Sequence, residues 1–186
     1  MRGNRILVLG TLMLVGELVF LLPFVVTRIF RPTFLRVFDI TNLELGSAFS
    51  LYGFIAMGAY FLGGPIADKF SPRKLLPVSV IATALGGVWM SYIPSIWTLT
   101  LLYGFWGLTT ILLFWAAYVK AQRLLGGDNQ QGRSFGLIDA GRGFFAAAIA
   151  SSSVFLLDSF LPVTLLSPRS TIFQVRSVRS YCYFPG

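Results

Sequence analysis

Gly64-Pro65-Ile66-Ala67-Asp68-Lys69-Phe70-Ser71-Pro72-Arg73-Lys74 closes one apolar run, Ser47 to Ala67, and leads into another, Leu75 to Ile93; neither run holds a charge. About 20 mostly apolar residues suffice to cross the hydrocarbon core of a bilayer as a helix, since about 30 Å is covered at about 1.5 Å per residue. The stretch is therefore expected to be a short basic turn between two spanning helices. Its Lys69, Arg73 and Lys74 would hold that turn on the cytoplasmic side.

The same pattern continues in both directions along the chain. Ile6 to Thr27 holds one charge, Glu17; Ile96 to Val119 holds none; Phe135 to Leu157 holds Asp139 and Arg142. All five runs are expected to be helices, because backbone groups left unpaired in lipid cost several kcal/mol each. Met1-Arg2-Gly3-Asn4-Arg5 resembles the start of a signal peptide, but the apolar run behind it is too long and no small-residue cleavage site follows Pro23. The first run is read as a retained helix.

Composition agrees with a lipid environment. Of 186 residues 55% are hydrophobic and only 12% charged, about half the usual charged share of a soluble domain. The mean hydropathy is +0.75. With the N-terminus inside, the cytoplasmic segments carry Arg2, Arg5, Lys69, Arg73, Lys74, Lys120, Arg123 and Arg133, against Arg28, Arg31 and Arg36 outside. This bias predicts a multi-pass protein of the cell (inner) membrane with a cytoplasmic N-terminus. Trp89, Tyr92 and Trp97 flank the expected outer turn, and Trp115 and Tyr118 are expected at the headgroup level inside.

Several chemistries are excluded. There is no His, and Cys182 is the single cysteine, so a His-based triad, an HExxH zinc site and an internal disulfide are impossible. No cofactor or metal site is expected, and no nucleophile with a positioned base marks an enzyme. The net charge of +8 is dispersed in short clusters between apolar runs rather than gathered on a polar face, which argues against nucleic acid as a partner. The domain reading is a transmembrane bundle over 1–160 with spans 6–27, 47–67, 75–93, 96–119 and 135–157. Residues 161–186 are expected to be a non-membrane tail, either a genuine extramembrane segment or, the favoured reading, a non-native product of an interrupted or frameshifted gene.

The segment from Gly64 to Lys74 resembles the loop between the second and third helices of the major facilitator superfamily, which commonly reads G-x-L-A-D-R-x-G-R-R/K. Gly64, Ile66, Ala67, Asp68 and Lys69 fit it; Ser71 and Pro72 depart from its Gly and Arg, with Arg73 and Lys74 following. The resemblance implies that Asp68, with Gly64 and the basic residues, locks the cytoplasmic side of a carrier built from two six-helix halves. A second likeness covers Gln130-Gln131-Gly132-Arg133-Ser134-Phe135-Gly136 and Asp139-Ala140-Gly141-Arg142-Gly143, with Lys120 upstream. It is similar to the branch that groups nitrate/nitrite porters with YihN-like inner-membrane permeases. Nitrate porters hold their anion with an Arg in the second helix, and 47–67 has none, so nitrate is not implied as the solute.

Charges within the spans are candidates for function, because each costs about 2.5–3.5 kcal/mol to place at the centre of a helix in lipid. Glu17 is expected about 16 Å along the first span, as a proton-coupling acid, a substrate ligand or a structural hydrogen-bonding group. Asp139 and Arg142, three apart on one helical face, are expected about 6–11 Å from the inner surface, as an inner gate, a structural pair or an anion contact. Small residues at spacing four, Ala59, Gly63 and Ala67, then Gly143, Ala147 and Ser151, are read as packing stripes. Pro23, Pro65 and Pro77 are read as sites that bend or end helices.

The expected fold class is thus all-α, about five helices of a truncated N-terminal six-helix half. The expected function is secondary active transport of a small polar or anionic solute, with or without a coupling proton, by alternating access. The fragment is expected to be inactive without the C-terminal transporter half. The alternative is a non-transporting membrane subunit or scaffold that pairs with a separately encoded partner.

Overall fold

The computed structural model describes residues 2–160; the tail expected at 161–186 lies outside the described residues. The chain divides into two compact units, Met1–Ala147 and Ala148–Gly186, and the packing that follows is that of the first. Helix α1, Arg2–Phe20, passes through a π-helical stretch, Leu21–Val25, into α2, Val26–Ile29. A short helix α3, Arg31–Phe38, precedes α4, Asn42–Lys69, and α5, Pro72–Met90. Helix α6, Ile96–Gly107, runs through a second π-helical stretch, Leu108–Trp115, into α7, Ala116–Gly126; α8 is Gln131–Phe160.

Each of the five apolar runs is helical, with ends set by local chemistry. Thr41 and Glu44 form a reciprocal capping box at the start of α4: Thr41 N–H donates to Glu44 Oε2 at 2.7 Å and Glu44 N–H to Thr41 Oγ1 at 3.3 Å. Ser71 caps α5 with Pro72 in its first turn, where the missing N–H costs nothing. Asp39 turns left-handed (φ 50°) to end α3. Among the described residues, three rods are long and apolar enough to cross a membrane: Arg5–Ile29, Asn42–Lys69 and Ile96–Gly126. Helices α5 and α8 fall short of that joint measure; α5 starts with Arg73 and Lys74, and α8 carries Asp139 and Arg142 among glycines and serines.

Polarity is inverted relative to a water-soluble bundle. Phe54, Phe61, Ile81, Trp97, Leu101 and Phe144 lie exposed, whereas Thr27, Ser79, Thr83, Thr109, Thr110 and Gln122 are buried. Lipid is as apolar as Leu, so helices in it associate through close packing and interhelical hydrogen bonds. Those bonds converge on the rod 96–126, which contains the fully buried Tyr103, Trp106, Phe114 and Tyr118. Tyr103 Oη donates to Pro23 O and Tyr118 Oη to Leu12 O, both at 3.0 Å, tying α1 and its π-helical stretch. Tyr52 Oη meets Thr110 Oγ1 at 2.8 Å from α4. Thr83 Oγ1 donates to Thr109 Oγ1 at 2.9 Å, and Trp106 Nε1 to Thr83 O at 3.1 Å, from α5. Ser134 Oγ donates to Gln122 O at 3.2 Å from α8. Each such bond is worth about 0.6 kcal/mol on average, so the rod 96–126 holds its neighbours by number.

Four expectations need correcting. The segment between the first two spans, read as a loop, contains helix α3, which buries Phe34 and stacks it on Phe38 at 4.3 Å. Tyr118 is fully buried inside the bundle rather than open to head groups: its hydroxyl finds the Leu12 carbonyl, and a Cβ at Gly16 would overlap its ring. Of the two outcomes expected at Pro23, Pro65 and Pro77, bending or ending a helix, the second does not occur: Pro65 and Pro77 lie inside α4 and α5, and Pro23 inside the π-helical stretch, where Tyr103 and Thr27 hydroxyls both donate to its carbonyl. Of the two small-residue stripes, Ala59, Gly63 and Ala67 are buried, but Gly143 and Ala147 lie exposed.

Candidate functional site

Two groups of polar residues stand out, one inside the bundle and one at the end of α4. Inside, α8 starts at Gln131, four residues before the span read from the sequence. Arg142 lies about 16 Å along the helix from that start. It meets Glu17, which is about 18 Å along α1 from Arg5. Arg142 Nη2 stands 3.8 Å from Glu17 Oε2, and Nη1 stands 3.5 Å from Asp139 Oδ1.

One guanidinium thus faces two carboxylates. The Glu17 side chain is 12% exposed and Asp139 63%, so the interior pair carries the electrostatic weight and the Asp139 contact is screened. Arg142 Cζ lies 5.9 Å from the centre of the Tyr118 ring, within cation–π range. Its Nε is buried with no hydrogen-bond partner among the described residues. Gly16 and Gly141 create the room: a Cβ at either would strike Tyr118 or Met13. The cluster holds one cation against two acids. An incoming anion can take the arginine from Glu17, and an incoming proton can release Glu17 from it.

The loop residues fall differently. Asp68 and Lys69 end α4, and Arg73 and Lys74 open α5; all four are exposed. Gly64 makes no close helix approach among the described residues, since a Cβ there would meet nothing within 4 Å. The close approach is at Gly63, where a Cβ would lie 3.4 Å from Ala116 Cβ and 3.6 Å from Leu112 O. The residue that sequence reasoning left without a role is Lys120. Its Nζ donates to Ala67 O at 2.6 Å and stands 3.4 Å from Asp68 O, a cation on the carbonyl end of α4 where the helix dipole is negative. Its signals in the sequence were its place directly after the long apolar run and its part in the second likeness.

The family model described as Major Facilitator Superfamily matches residues 6–167. The chain is 31% identical over 144 residues to inner membrane protein YqcE of Escherichia coli (strain K12), covering 77% of this chain and 34% of that protein. It is 31% identical over 149 residues to inner membrane protein YihN of the same organism, covering 80% of this chain and 35% of that one. The chain thus aligns with about a third of the length of these relatives. No solved structure matches it. The loop residues, the helical rods and the family match agree, and the chain belongs to the Major Facilitator Superfamily.

Proposed function

We propose that the chain forms the N-terminal side of a secondary active transporter that moves a small polar or anionic solute by alternating access. Five spanning helices with a cytoplasmic N-terminus supply one wall of the path, and a C-terminal half supplies the other. The observation that carries this reading is the Glu17–Arg142 contact, 3.8 Å long and well inside the bundle. A charge so placed is costly unless used, and carriers of this type bind cargo at mid-membrane depth. Glu17 is the coupling acid and Arg142 the anion contact; Asp68, with Gly64 and the loop bases Lys69, Arg73 and Lys74, closes the inner face, and Asp139 steadies Arg142 from its outer side.

The test is uptake into liposomes. The 186-residue chain alone gives no saturable uptake, and the chain reconstituted with a C-terminal half restores it. In that assembled form Glu17→Gln lowers uptake at least tenfold and flattens its pH dependence. Saturable uptake by the chain alone defeats the need for a second wall, and unchanged uptake by Glu17→Gln removes that residue from the mechanism.

A further inference from the structure

A second feature lies where α1 begins, α7 ends and α8 begins: a cleft of about 490 Å³. One side of its lining is polar and basic, with Arg5, Gln130 and Arg133; the other is apolar, with Ile6, Leu9 and Leu137. No Asp or Glu lines it, and among the described residues no carboxylate pairs with either arginine. Arg5 is held in place by a 2.7 Å bond from Nη2 to Leu125 O at the carbonyl end of α7. That bond uses one of the five N–H donors of a guanidinium. Ile6 is 75% exposed and Leu137 45%, so the apolar wall is open to an occupant.

A free phosphate would gain nothing from that wall, whereas an amphiphile with an anionic head uses both sides. Basic recesses between helices at a membrane surface suit phosphate head groups, and Arg is the side chain that matches phosphate with two parallel bonds. We propose that the cleft seats an anionic phospholipid, its phosphate at Arg5 and Arg133 and the first part of an acyl chain along Ile6, Leu9 and Leu137. The site needs the bundle to sit in a membrane but does not depend on transport, so its failure leaves the transport reading intact.

The test is native mass spectrometry of the purified 186-residue chain titrated with phosphatidylglycerol or phosphatidylcholine. One phosphatidylglycerol is retained in preference to phosphatidylcholine. The double variant Arg5→Gln/Arg133→Gln binds it at least about tenfold more weakly. Arg73→Gln/Lys74→Gln, which removes equal charge at another turn, keeps it, and Leu137→Gln weakens it with helicity unchanged by circular dichroism. Should the loss of the Arg5 bond disturb folding, Arg133→Gln alone still binds several-fold more weakly. Equal loss in the two double variants overturns the site as a bulk charge effect. Displacement by inorganic phosphate at the lipid's own concentration overturns it as a head-only anion site, and no preference for phosphatidylglycerol overturns it outright.

Discussion

Arg142 faces more negative charge than it can neutralise, and the exposures decide which contact matters. Removing one member of a buried pair strands the other, at a cost of about 3–5 kcal/mol, while a screened surface pair contributes about 0–1 kcal/mol. Arg142→Gln is therefore expected to lower stability by about 3 kcal/mol. Glu17→Gln/Arg142→Gln recovers most of that loss, and Asp139→Asn changes it little. Thermal unfolding of the three variants in detergent checks the order; a double variant worse than the single one refutes the pairing. The Asp139–Arg142 neighbourhood was legible from a spacing of three on a helix. The Glu17–Arg142 contact was not, because it depends on how α1 and α8 pack against each other, which no spacing within either helix encodes.

Helix existence was legible in every apolar run, since length and apolarity alone dictate it in lipid. Helix detail was not. The segment of α3 is too short and too charged to register as a span, and it is held by the burial of Phe34. The π-helical stretches carry no composition signal, although Pro23 marks where one of them is needed. The Lys120 bond across to α4 also escaped, because a cation after an apolar run reads equally well as positive-inside bias. Hydrogen bonds from charged groups are worth about 1.5–3 kcal/mol. Lys120→Met is expected to destabilise the protein by about 2 kcal/mol and to speed amide exchange at the end of α4, with Lys120→Arg restoring part of both. Hydrogen exchange read by mass spectrometry over 60–70 decides it, and unchanged exchange in Lys120→Met removes the residue as a helix stop.

As a whole molecule, the chain is arranged for lipid: oily side chains such as Phe61 and Trp97 outside, threonine hydroxyls bonded to neighbours inside. Family membership was legible because a short loop with fixed residue types carries it; the solute is not written in any such loop. The orientation has its own check. With Cys182→Ser as background, a membrane-impermeant maleimide is expected to label Arg36→Cys in intact cells and Lys69→Cys only after permeabilisation; the reverse pattern inverts the topology. The inverted polarity also bears on temperature. A water-soluble domain owes the strong curvature of its stability to the heat capacity of apolar groups wetted on unfolding. Here those groups already face lipid, and separating the rods within a bilayer wets few of them. Stability in the membrane should then change almost linearly with warming, with little of the weakening that cold brings to proteins whose oil is hidden from water.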